Sequence, residues 1–85
     1  MKLHQLRYVS EVVKQGLNIS AAAETLHTSQ PGVSKQIQLL EDELNLQIFE
    51  RHGKRLTGIT DPGRNIIDLA ERVIRDMENI KKVGD

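Results

Sequence analysis

Asn18 to Arg51, NISAAAETLHTSQPGVSKQIQLLEDELNLQIFER, is the stretch that decides the fold. It sets two helical patterns around the short polar connection His27-Thr28-Ser29-Gln30 and follows them with an apolar, strand-like run. In the second pattern Thr28 or Ser29 offers a side-chain oxygen to first-turn amides that have no internal partner. Pro31 fits there because no amide hydrogen is needed. A step of about 100° per residue brings Val33, Ile37, Leu40 and Leu44 within an arc of roughly 60°, a stripe that must be buried. The opposite side gathers Pro31, Ser34, Lys35 and Gln38, with Gln30 at its edge. Amide, hydroxyl and ammonium groups around a small apolar ring suit base edges, thymine methyls and phosphates. A plain solvated face has the same composition, so the neighbouring segments have to decide between the two readings.

The helix before it is capped by Asn18 or Ser20 and runs to about His27. Its Ala21, Ala22 and Ala23 let another helix cross closely, and Leu26 anchors its end. Earlier still, Leu3, Leu6, Val9, Val12 and Val13 give a first helix with a buried stripe, ended near Gly16, which tolerates a left-handed helix stop. Three helices then share one core. After Leu44, Asn45 can take the left-handed terminating position, and Leu46, Ile48 and Phe49 supply apolar anchors. Gln47 to His52 and Arg55 to Ile59 can pair as a hairpin, since Gly53 at the first turn position suits a type II′ turn. Arg51, His52, Lys54 and Arg55 make this the densest basic run in the chain. Such a tip can lie along a phosphate backbone or enter a minor groove, and the bland alternative is a solvated loop. Helix, helix, turn, helix and hairpin in this order predict an all-α fold with a small β wing, a winged helix-turn-helix.

The run AAAETLHTSQPGVSKQIQLLEDELNLQIFER resembles the DNA-binding domain of LysR-type transcriptional regulators. That family sets an Ala-Ala pair and Leu before Ser-Gln-Pro, then Ser-x-Gln-Ile, Leu-Glu-x-x-Leu and Phe-x-Arg. The resemblance covers essentially the whole chain: MKLHQLRYV is similar to the family's first helix and LTGITDPGRNII to its passage from wing to linker helix. MKLHQLRYVSEVV, TSQPGVSKQ, LEDEL and QIFERHGKRLT resemble the branch that regulates sulfur assimilation and cysteine synthesis. Two positions depart from the pattern, Gly32 where many members have Ala and Asn45 where most have Gly.

The resemblance implies that Gln30, Pro31, Ser34, Lys35 and Gln38 form the major-groove face. It implies too that Ser20, Thr28 and Ser29 sit near phosphates at helix starts, with Arg51, Lys54 and Arg55 acting from the wing. It implies double-stranded promoter or operator DNA as partner and control of sulfur-assimilation genes. It further implies a larger effector-binding domain, absent from this sequence, that binds a small-molecule inducer and can support a tetramer in the full-length protein. The bacterial nucleoid is the implied location.

From Thr60, a cap followed by Pro62 in the permissive first turn, a long helical pattern runs to about Lys82. Ile66, Ala70, Val73, Met77 and Ile80 alternate spacings of four and three, while Ile67 and Ile74 widen the stripe. A repeat averaging about 3.5 marks a seam for another helix. Part of the stripe can pack on the first helix, but the helix is too long for a three-helix core to cover. Ile66, Ala70, Val73, Ile74, Met77 and Ile80 are therefore expected to hold a homodimer. A two-fold dimer predicts an interrupted palindrome as target. The expected organisation is residues 1–59 as the winged domain, with its helix-turn-helix at about 19–38 and wing at about 47–59, and residues 60–85 as the linker and dimerisation helix.

With 85 residues the chain supports one small domain plus this helix, and such domains are marginal unless something else covers their apolar faces. Twelve basic and twelve acidic side chains sum to zero, and residues 1–59 carry seven and six. DNA affinity must then come from local placement of charge. The absence of cysteine excludes disulfides and thiolate metal sites and makes a cytoplasmic setting the natural expectation. No apolar run is long enough for a membrane span. His4, His27 and His52 are dispersed, and Glu41, Asp42 and Glu43 are consecutive on a helix and point in different directions. No cofactor, metal site or enzymatic activity is expected. The competing class is a helical interaction module that dimerises without reading DNA sequence.

Overall fold

The computed structural model describes residues 1–84, in the order α1 (Leu3–Lys14), α2 (Ile19–Thr25), α3 (Gln30–Leu44), β1 (Phe49–His52), β2 (Arg55–Ile59) and α4 (Asp61–Gly84). Four of the boundaries are chemical stops legible in the residues. The Asn18 side chain accepts from Ala21 N at 3.0 Å and Ser29 Oγ from Gly32 N at 3.1 Å, so each starts its helix as a cap. Asn45 ends α3 at φ 55° and ψ 43°, with its own amide on Asp42 O and that of Leu46 on Glu41 O. Thr60 Oγ1 accepts from Gly63 N at 3.0 Å and opens α4. Between α1 and α2 the chain needs two successive left-handed residues, Gly16 and Leu17, both at φ 67°. α2 stops at Thr25 rather than His27, because His27 turns left-handed at φ 56°.

Leu6, Val9, Val12, Ile19, Ala22, Ala23, Val33, Ile37 and Leu40 form one core, closed from the wing side by Ile48, Phe49 and Leu56. Leu3, expected on the buried stripe of α1, is instead exposed; Gln5 is buried in its place. The Gln5 side-chain oxygen accepts from Lys2 N at 3.0 Å while its amide donates to Gln36 Oε1 at 3.1 Å, which pins the start of α1 to α3.

β1 and β2 pair antiparallel with His52 opposite Arg55, and the register shifts between Glu50 and Arg51. Thr57 is the extra residue, since Glu50 faces Gly58 and Arg51 faces Leu56. Gly53 has φ 63°, as the first central position of a II′ turn requires. The strand begins at Phe49, two residues later than expected, and the amides of Ile48 and Phe49 both go to the Glu41 carboxylate.

α4 lies along α1. Gly63, Ile67 and Ala70 are buried, and Ile74 and Met77 are half-buried in the same line, with Arg7 donating to Met77 Sδ at 3.5 Å. Of the residues expected in the seam, Ala70, Ile74 and Met77 lie on the side of α4 turned to the chain's own α1. The exposed apolar line on α4 is a neighbouring one, Leu69, Val73, Ile80 and Val83, begun by the half-buried Ile66. Ile66, Val73 and Ile80 keep their expected place on it, while Leu69 and Val83 join them.

Candidate nucleic-acid interface

Burying Val33, Ile37 and Leu40 completely rotates the remaining face of α3 outward. Gln30, Pro31, Lys35 and Gln38 are exposed and Ser34 is half-buried, all on one side of the helix. Polar groups along this face are held at its two ends. At the start, Ser20 Oγ donates to Gln30 Oε1 at 2.9 Å, which ties α2 to α3 and orients the Gln30 amide. Further along, Gln38 Nε2 donates to Asp42 Oδ1 at 3.0 Å and leaves its own carbonyl oxygen free to accept. Lys35 lies between them, with no carboxylate within ion-pair distance among the described residues.

The hairpin brings a second set of groups to the same side. A cleft of about 450 Å³ runs between the wing and the helices, lined by Asn18, Ser20 and Gln30 on one wall and by Lys54, Arg55 and Leu56 on the other. Sequence separation of more than 30 residues is thereby closed, and Ser20, Gln30, Lys54 and Arg55 share one surface. Lys54 and Arg55 are exposed at the turn and have no acidic partner among the described residues. Thr28 and Ser29 stand at the start of α3, where Ser29 is occupied as the cap and Thr28 is half-buried. An exposed helix face of amides and a hydroxyl, flanked by unpaired cations, can donate to and accept from base edges while the cations meet phosphate.

Arg51 is placed differently from the other wing cations. Its guanidinium donates to Glu41 Oε1 at 2.6 Å, and its side chain is only 25% exposed. Glu41 is itself buried, at 1% exposure, and its other oxygen accepts the amides of Ile48 at 2.7 Å and Phe49 at 3.3 Å. The run Glu41, Asp42 and Glu43, read only as consecutive acids pointing in different directions, does not reveal this. The available signal was its position: Val33, Ile37 and Glu41 are successive i+4 neighbours, so Glu41 extends the buried ladder by one turn. Arg51 likewise follows Phe49 by two residues, the period that puts both on the inner face of a strand.

Among the described residues no helix is long and apolar enough to cross a membrane. Residues 3–64 match the family model described as bacterial regulatory helix-turn-helix protein, lysR family. The chain is 54% identical over its 85 residues to the HTH-type transcriptional regulator CysB of Haemophilus influenzae, covering 100% of this chain and 26% of that protein. It is also 54% identical, over 84 residues, to CysB of Burkholderia cenocepacia, covering 99% of this chain and 27% of the relative. It thus spans about a quarter of the length of these curated relatives. Among solved structures, the complex of CbnR DBD with DNA superposes with a TM-score of 0.81 at 30% identity, covering 100% of both chains. The BenM DBD complex with catB site 1 DNA superposes with a TM-score of 0.88 at 32% identity, covering 96% of this chain and 86% of that one.

Proposed function

Because this chain belongs to the lysR family of bacterial regulatory helix-turn-helix proteins, we propose that it reads duplex DNA in a sequence-dependent way and regulates transcription. The observation that carries the reading is the outward polar face Gln30, Ser34, Lys35 and Gln38 of α3, whose first residue, Gln30, shares a cleft with Lys54 and Arg55 of the wing. In this proposal α3 enters the major groove, and Gln30, Pro31, Ser34, Lys35 and Gln38 face the bases. Ser20, Thr28 and Ser29 approach phosphates at the helix starts, while Lys54 and Arg55 lie against the backbone or the neighbouring minor groove. The CbnR and BenM complexes support it by having the same fold in the presence of DNA.

Selection of bound duplexes from a random pool tests the reading. The unaltered chain should enrich one half-site motif. Lys35→Ala with Gln38→Ala should erode it, since each lost base contact is worth about 1–3 kcal/mol of discrimination. An identical enriched motif from the double variant would remove α3 from the interface. Dimerisation without any enriched motif would favour the interaction-module reading.

The same proposal includes a homodimer through α4, supported by the exposed Leu69, Val73, Ile80 and Val83 with the half-buried Ile66 at the head of their line. Their spacings alternate three and four once Asp76 is counted in the line, which is a heptad with one acidic interruption. Parallel helices would set Asp76 against Asp76 of the second copy, two like charges in a seam. An antiparallel pair instead sets Ile66 opposite Val83, Leu69 opposite Ile80 and Asp76 opposite Val73 of the second copy, so the two Asp76 side chains no longer face each other. Like charges directly opposed in a seam repel, so the antiparallel arrangement is the proposed one. Two-fold symmetry then presents two copies of α3 to two half-sites, an interrupted palindrome. Target genes in sulfur assimilation and cysteine synthesis are proposed from the match to the two CysB proteins. Inducer sensing is assigned by the same proposal to sequence outside the quarter that this chain spans.

A further inference from the structure

We propose that Glu41 and Arg51 are positioning residues for DNA reading, a buried clamp that fixes the wing against α3 and withholds Arg51 from phosphate. The inference rests on the DNA-reading function proposed above and adds to it which cations do not touch DNA and what holds those that do. Three observations carry it. Glu41 projects from α3 one turn beyond Ile37, is 1% exposed, and gathers three donors from the root of the wing: the amides of Ile48 and Phe49 and the Arg51 guanidinium. Asn45 reverses the chain in a left-handed step, so that residues 48 and 49 pass back over the helix they have just left. From the opposite side, Thr60 N donates to Ile48 O at 3.0 Å, and the Thr60 hydroxyl reaches the carbonyls of Gln47 and Ile48. The root of the hairpin is therefore held from both faces. Its tip, with Lys54 and Arg55, is held only by the pairing of its own strands.

The charge consequence follows from burial. Were Arg51 to swing out to a phosphate and leave Glu41, a carboxylate without its cation would stay behind in the core, which is strongly unfavourable. Arg51 thus releases no counterion when DNA binds. A cation that contacts phosphate contributes about 0.9 to the slope of log affinity against log salt, and a clamped one contributes nothing. The clamp acts on specificity, because recognition by α3 and by the wing is productive only when the two are held at one offset.

The test compares Arg51→Met, Glu41→Gln, Lys54→Ala and the double variant Glu41→Gln with Arg51→Met in the full chain. Affinity for the selected duplex and for random duplex is measured over a salt series, and amide hydrogen exchange is followed without DNA. Arg51→Met should keep the slope of the unaltered chain, whereas Lys54→Ala should lower it by about 0.9. Glu41→Gln frees a guanidinium and should raise the slope on random duplex by up to about 0.9. All three clamp variants should lose preference for the selected duplex by about tenfold, the loss expected from about 1.4 kcal/mol of discrimination. Without DNA, the amides of Ile48 and Phe49 should exchange faster in Glu41→Gln while those of Val9 and Val12 in α1 do not, which separates a loosened wing from global unfolding. The double variant leaves no unpaired buried charge, so native helical content with lost preference excludes misfolding as the cause. A slope drop of about 0.9 in Arg51→Met would show that Arg51 touches phosphate and overturn the clamp. So would unchanged preference and unchanged exchange in Glu41→Gln. If the unaltered chain prefers no duplex, the DNA-reading proposal fails, and the exchange measurement still decides whether Glu41 holds the wing.

Discussion

Gly63 has no room for a methyl group. A Cβ built there would collide with the carbonyl oxygen of Ile48 and crowd Thr60 Oγ1 at 2.8 Å, because α4 starts directly against the root of the wing. Gly63→Ala must push two backbones apart and should destabilise the fold by about 1–3 kcal/mol in urea unfolding. A stability within 0.3 kcal/mol of the unaltered chain would show that the α4 start yields freely. Ser29→Ala removes the oxygen that accepts Gly32 N and should cost about 1 kcal/mol. Single residues of this kind were legible in the sequence when their role is local. The candidate caps Asn18, Ser29 and Thr60 and the left-handed Asn45 act within a few positions of themselves, and the chain there carries its own instruction. Glu41 was not legible in the same way. Its partners are Ile48, Phe49 and Arg51, and only the reversal at Asn45 brings them within reach.

The element that departs most from expectation is α4. Its apolar residues form two adjacent lines, and a period near 3.5 alone does not say which of them meets the core. Gly63 decides it: the only residue small enough to touch Ile48 fixes the rotation of the helix, so Ile67, Ala70, Ile74 and Met77 follow onto α1. In the sequence Gly63 stands only as part of the passage into the linker helix, and without its contact the two lines merge into one stripe. Substitution separates them. Val73→Glu with Ile80→Glu lies on the exposed line and should leave a folded monomer in sedimentation, with thermal unfolding of the subunit retained. Ala70→Glu puts a charge at a position 1% exposed and should destabilise the subunit itself by about 3 kcal/mol or more. If the Val73 and Ile80 variant keeps dimer mass, the exposed line is not the seam. The wing, by contrast, was legible almost to the residue, since Gly53 between two basic, β-prone segments admits few other turns.

At the scale of the molecule, zero net charge conceals a division of labour. Lys35, Lys54 and Arg55, none of them with an acidic partner among the described residues, sit on α3 and the wing tip, while Glu41, buried and paired with Arg51, contributes no free charge there. Affinity for duplex should therefore fall steeply with salt despite the neutral total. The slope should be set by Lys35, Lys54 and Arg55 at about 0.9 each per bound subunit. A salt-independent affinity would contradict it. The proposed dimer predicts that stability depends on protein concentration, because partners that associate only when folded stabilise the folded state by mass action. A tenfold dilution should lower the melting temperature of the unaltered chain and leave that of the Val73 and Ile80 variant unmoved.

The length of α4 then becomes a ruler. In an antiparallel pair with Ile66 opposite Val83, the Gly63 positions of the two copies stand about 23 residues apart along the shared axis, or about 35 Å at 1.5 Å per residue. One turn of B-form duplex measures about 34–36 Å, so the two winged heads would be pitched one helical repeat from each other on a single side of the double helix. Removing one heptad from α4 would draw the heads about 10 Å closer and throw them out of phase with the grooves. The gap between half-sites would then be written in the residue count of a helix that touches no base.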